Sequence, residues 1–166
     1  MRFSDRYLPP GVDARGELAR FAAFGFVFLL CWSLSFLPAY VRALNALYTY
    51  EYGRRVLQAG AVMQDLGSLM RLRFAGFWGY ALCCLGTAAG HYRSFTRETK
   101  SIYVMKRLKS AREMHVRCLA LPAAALLAGA ALTALLMLAY TLLYRFATPE
   151  ACLPASVGFD FWGALL

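Results

Sequence analysis

The chain has 166 residues, 60% of them hydrophobic and 16% charged, and its 18 Lys/Arg against 9 Asp/Glu give a net charge of +9. The apolar residues come in blocks and not at the spacing of a half-buried surface element, which argues against an ordinary soluble domain. The basic excess lies beside those blocks, where the preference of cytoplasmic loops for Lys and Arg accounts for it, so no nucleic-acid partner is expected.

Residues 1–20 read as a cytoplasmic tail and an amphipathic lead. A turn falls at Pro9-Pro10-Gly11, and Asp13 is placed to cap a helix starting near Ala14. Leu18 and Phe21 are the expected apolar positions of that lead. The mixed charges and prolines do not resemble a signal peptide, and the apolar run that follows is too long for one, so a retained first span is expected. No Lys, Arg, Asp or Glu occurs in 21–41, 74–90 or 118–144, runs of 21, 17 and 27 residues. A bilayer core needs roughly 20 helical residues to cross it. Span one is therefore placed at 21–44, with Pro38 expected to kink its outer end.

The outer connector, 45–73, is too polar to span. Tyr48, Tyr50 and Tyr52 suit an interfacial belt. Gly53, Gly60 and Gly67 recur every seven residues, and an interrupted interfacial helix is the expectation. Span two, 74–90, carries Ala75, Gly79, Cys83, Gly86 and Gly90 on one helical face. Small faces let helix backbones approach closely where lipid removes the usual hydrophobic force. That face serves either packing within the chain or docking on another membrane subunit.

The basic connector, 91–117, holds eight Lys/Arg and two acids. Tyr92, Phe95, Thr99, Ile102 and Met105 fall at helical spacing, with Arg93, Arg97, Lys100 and Arg107 largely off that stripe: an amphipathic helix over Phe95–Leu108. Ser110 and Glu113 fit a capping box that restarts a helix at Ala111. The helix leads into span three, 118–144, with Pro122 near its inner end and a small ridge at Ala120, Ala124 and Ala128. An outer tail, 145–166, ends in the aromatic anchors Phe159, Phe161 and Trp162. Lys/Arg on the side of the N-terminus and 91–117 number twelve, against six on the other. The N-terminus is thus expected in the cytoplasm of a multi-pass cell-membrane protein, and the C-terminus outside.

Chemistry-bearing motifs are missing. There is no phosphate-binding GxxxxGK[ST], no HExxH, no GxSxG and no Cys/His ligand spacing among Cys31, Cys83, Cys84, Cys118 and Cys152. No catalytic residue, cofactor or metal is expected. His91 and His115 read as interfacial histidines. The three runs contain no Lys, His or carboxylate of the kind that marks a proton or ion path.

From His91-Tyr92 through Phe95, Arg97-Glu98, Lys100-Ser101-Ile102-Tyr103, Met105-Lys106-Arg107-Leu108, Arg112-Glu113 and Arg117-Cys118 to Leu121-Pro122, the chain resembles small membrane proteins encoded near ABC-transporter components in Gram-positive anaerobes. Its layout is also similar to half of an ABC-2 type permease, with Phe95–Leu108 in the place of the coupling helix; it departs from that pattern by having three spans. The resemblance implies a non-enzymatic transporter subunit that packs on a multi-span permease. Phe95, Arg97, Glu98, Ile102, Met105 and Leu108 would contact an ATPase. The alternative is a regulatory or structural membrane protein whose connector binds anionic lipid or a cytoplasmic regulator. Either way the expected fold is all-α and integral to the membrane, with three transmembrane helices and a cytoplasmic amphipathic helix between spans two and three.

Overall fold

A computed structural model describes residues 13–71, 75–97 and 111–154. They are mostly helical. The order is α1 (Ala14–Phe24), a π-helical segment (Gly25–Cys31), α2 (Trp32–Leu34), α3 (Phe36–Ala46), β1 (Tyr48–Glu51), β2 (Arg54–Leu57), α4 (Leu66–Met70), α5 (Gly76–Arg97), α6 (Ala111–Ala147) and a 3-10 turn (Glu150–Cys152). Two helical stretches are long and apolar enough to cross a membrane, Ala14–Ala46 and Met114–Ala147, and only 22% of each one's apolar window is buried. Phe26, Val27, Trp32, Leu127, Leu135 and Phe146 all face outward. Apolar surface on this scale is unusual for a water-soluble monomer.

The chain divides into two compact units, 1–27 with 77–131 and 28–76 with 132–166. In the first, Asp13 caps α1, its carboxylate accepting from the N–H groups of Arg15 and Gly16 at 3.1 Å each. These donors have no partner inside the helix, which is why an Asp at this position starts it. The buried positions of α1 are Glu17 and Phe21, whereas Leu18 is 61% exposed. Of the two expected apolar positions, Phe21 is buried and Leu18 is not; the other buried position is a carboxylate. Residues Phe95–Arg97, assigned from sequence to a separate amphipathic helix, continue α5. Glu98, Ile102, Met105 and Leu108, with the rest of the 98–110 stretch including Ser110, lie outside the described residues, as do Phe159, Phe161 and Trp162.

In the second unit, the core is built from aromatic rings of α3 and α6. Phe36 stacks on Tyr140 with centroids 4.6 Å apart and on Tyr40 at 5.9 Å; Tyr40 meets Tyr144 edge-on at 6.2 Å. Their polar ends are satisfied: Tyr40 Oη shares a hydrogen bond with Thr148 Oγ1 at 3.1 Å, and Tyr144 Oη donates to the Gln64 carbonyl at 3.0 Å. The Met63 N–H donates to the Cys152 carbonyl at 2.8 Å, so the 58–65 loop is tied to the chain beyond α6. The helix is interrupted at Ser35. That break places Pro38 in the first turn of α3, where its missing N–H costs nothing.

The outer connector departs from the all-α expectation. It forms an antiparallel hairpin with Tyr48 opposite Leu57, Thr49 opposite Val56, Tyr50 opposite Arg55 and Glu51 opposite Arg54. Tyr52 (φ 49°) and Gly53 (φ 77°) form its two-residue turn. Positive φ at both central positions is the turn whose twist matches that of paired strands. Gly60 also has positive φ, at 80°. Gly53 and Gly60 are therefore turn glycines, and the seven-residue recurrence does not mark a helix face. Aromatic and β-branched residues suit the strands. Arg55 Nε donates to Tyr50 Oη at 2.9 Å across them, while Thr49 and Gln58 hydrogen-bond through their side chains.

Candidate functional site

Within the first unit, α5 has two distinct faces. Tyr80, Cys84, Ala88 and His91 are buried, and Gly76 continues the same spacing at the helix start. The small-residue face read from sequence lies one position earlier. Ala75, Gly79 and Cys83 are half-buried, and Gly86 and Gly90 are exposed. Among the described residues, a Cβ added at Gly86 or Gly90 would have nothing within 4 Å. The packing of the described residues therefore leaves the Gly86-Gly90 end of that face open. Trp78, Leu82 and Leu85 are also exposed on α5. On α6 the buried side likewise differs from the expected alanine ridge: it carries Cys118, Pro122, Gly129, Thr133, Met137, Tyr140 and Tyr144, whereas Ala124 and Ala128 are exposed.

At the other side of α5 lies a buried polar cluster. His91 is 6% exposed and Glu17 5%. His91 Nε2 stands 3.6 Å from Glu17 Oε1, and Arg20 Nη1 donates to that same oxygen at 2.9 Å. His91 Nδ1 lies 3.4 Å from the carbonyl oxygen of Cys118. That carbonyl is available for a reason written in the sequence. In a helix it would accept from the N–H four residues on, which is Pro122, and proline has none. The imidazole takes the place of the missing donor, as side chains do for backbone groups freed by proline in apolar surroundings. Nearby, Tyr92 and His115 are in ring contact at 5.4 Å. Tyr80 Oη donates to the Ala125 carbonyl at 3.0 Å, and its ring lies 3.8 Å from the Cβ position of Gly25.

The cluster was not legible in the sequence as a site: Glu17 drew no attention, and His91 was assigned to the interface. Pro122 was the available signal, since it identifies Cys118 as the residue whose carbonyl needs a foreign donor. Of the expected ATPase-contact residues, Phe95 and Arg97 fall on α5 and the others outside the described residues. No cluster of three or more His, Cys, Asp or Glu able to hold a metal occurs among the described residues. The five cysteines are free thiols. No protein-family model, curated protein or solved structure matches the chain.

Proposed function

We propose that this is a non-enzymatic, multi-pass membrane subunit that docks on a multi-span partner through the open face of α5. The observation that carries the reading is the pair Gly86 and Gly90. They form a GxxxG on an exposed helix face, with open space where their side chains would be. In lipid, such a face gains from close approach of another helix and the interhelical packing that follows. The outward-facing apolar residues of Ala14–Ala46 and Met114–Ala147 support a membrane location. In this reading α5 carries span two, its uncharged run 74–90 following span one and preceding span three along the chain. The N-terminus and the basic connector 91–117 face the cytoplasm and the C-terminus faces outward, in line with the charge asymmetry of the sequence.

The resemblance carried by His91–Pro122 makes the partner an ABC-type permease, with 95–108 reaching its ATPase. Purification of the tagged chain from native membranes in mild detergent, with mass spectrometry of what accompanies it, tests both steps. Near-stoichiometric recovery of a multi-span permease, lost in a Gly86→Leu/Gly90→Leu variant that still inserts, supports the docking face. Loss of an ATPase alone in an Ile102→Asp/Met105→Asp variant supports the coupling contact. Recovery of the chain by itself, or with anionic lipid only, rejects the subunit reading and favours a lipid-bound structural role.

A further inference from the structure

We propose that one face of the β1–β2 hairpin docks on anionic phospholipid headgroups, with the Arg55 guanidinium holding the lipid phosphate. The proposal rests on the membrane location given above. In that location span one loses its uncharged character after Val41. The stretch Arg42–Ala46 adds about 7–8 Å of helix, about the thickness of one headgroup layer. β1 then starts at Tyr48, directly after the Leu47 that ends α3. The Gln58 N–H donates to the Leu47 carbonyl at 3.0 Å and closes the base of the hairpin on that helix end. The strands are thus rooted where the chain leaves the hydrocarbon.

Opposed residues of paired strands share a face. Tyr48 with Leu57 and Tyr50 with Arg55 make one face; Thr49 with Val56 and Glu51 with Arg54 make the other. No strand residue is buried on either face. A two-stranded sheet standing alone in water is marginal, so a further surface to rest on stabilises it. The faces differ in charge. Glu51, the single acid in 36–58, stands opposite Arg54 and compensates it. The first face has two tyrosines, a leucine and the cation of Arg55, with no acid. Rings with an apolar body and a polar tip around an uncompensated cation complement an anionic headgroup layer.

Arg55 is held in place for this contact. Its Nε donates to Tyr50 Oη at 2.9 Å, its Nη2 donates to Asn45 Oδ1 at 3.4 Å, and its Cζ lies 5.7 Å from the centroid of the Tyr50 ring. Neutral acceptors and a ring face orient the guanidinium without cancelling its charge. Nη1 has no partner among the described residues, and Nη2 has a second hydrogen to give. Arg55, Tyr50 and Asn45 are all exposed, so the fork is open to a ligand. A planar fork of N–H donors is the geometry that binds phosphate oxygens in pairs. Arg42, one turn before Asn45 on α3 and also exposed, adds a second cation near the helix end.

Hydrogen–deuterium exchange of the full chain tests this, in nanodiscs of phosphatidylcholine alone and of phosphatidylcholine mixed with phosphatidylglycerol. The readout is the ratio of Tyr48–Leu57 exchange rates between the two lipids, which cancels changes in the hairpin's own stability. The anionic lipid should slow exchange about fivefold, the effect of one basic group on an anionic surface. Arg55→Gln should remove the difference, and Arg54→Gln, on the compensated face, should retain it. Inorganic phosphate added to phosphatidylcholine nanodiscs should not reproduce it. Equal exchange in the two lipids overturns the proposal. So does a difference lost equally in Arg54→Gln, which would be the work of net charge, or slowing by inorganic phosphate alone. Each of these results leaves the membrane location standing while the chain stays in the nanodisc with its Met114–Ala147 amides protected. A chain that does not enter the nanodisc overturns both.

Discussion

The backbone carbonyl oxygen of Phe28 occupies the place where a side chain on Gly76 would begin, so that any Cβ at position 76 would collide with it. Phe28 belongs to the π-helical segment, and the Trp32 Cβ closes the same space at 3.0 Å. The obstacle is backbone, which cannot swing aside as a flexible side chain can. Gly76→Ala is therefore expected to destabilise the protein by about 1–3 kcal/mol, the range of overpacking substitutions. Thermal unfolding in detergent measures it. Gly86→Ala, in open space within the same helix, should not lower the midpoint.

Tyr144 is buried, and its hydroxyl is a donor to the Gln64 carbonyl. Tyr144→Phe keeps the ring contact with Tyr40 and removes that donor. The expected loss is about 1–3 kcal/mol if the carbonyl stays dry. Limited proteolysis reads it locally: cleavage should increase in the 58–65 loop and not in α1.

The hairpin turn places a tyrosine at positive φ beside Gly53. Left-handed backbone costs a residue with a side chain about 1–2 kcal/mol, and Asn bears it better than Tyr. Tyr52→Asn is thus expected to slow amide exchange across Tyr48–Leu57, and Gly53→Val to speed it. Both effects should be confined to the hairpin, since the Tyr52 side chain is fully exposed.

Pro122 leaves the Cys118 carbonyl without its helical N–H, and the His91 ring on another helix faces that carbonyl. Pro122→Ala supplies the N–H that the Cys118 carbonyl lacks, and His91 Nδ1 then competes for an acceptor already engaged. In 15N spectra of the neutral ring, wild type should show the Nδ1–H form and Pro122→Ala a mixture of both tautomers. An unchanged spectrum would mean that the carbonyl is not what fixes the ring.

Asp13→Ala removes the acceptor for two amides of the first turn of α1. A loss of about 1 kcal/mol in helix stability is expected, seen as faster exchange at Arg15 and Gly16.

The helical stretches were legible because charge is excluded from them and a single residue, Asp13, marks a helix start. The faces were less so. On α5 the series Ala75, Gly79, Cys83, Gly86, Gly90 and the series Gly76, Tyr80, Cys84, Ala88, His91 fit the same period one or two residues apart. Only tertiary contact separates them. The second series buries a tyrosine and a histidine that hydrogen-bond to backbone carbonyls, and small-residue spacing cannot anticipate those bonds. The hairpin was hidden because its turn is Tyr-Gly and not the usual Asn-Gly, although Tyr-Thr-Tyr and Arg-Val on either side carry the strand signal. Glu17 was invisible for a different reason: a buried carboxylate 74 residues from its histidine leaves no local pattern.

That separation has a consequence for how the protein is made. Glu17 leaves the ribosome 74 residues before His91 and 101 before Cys118. At roughly 5–20 residues per second, on the order of 5–20 s pass before all three exist together. Through that interval the carboxylate has neither its imidazole nor the packing that buries it. The contact of Glu17 with His91 therefore forms only after the chain has been made through α5, and α1 spends its first seconds without it.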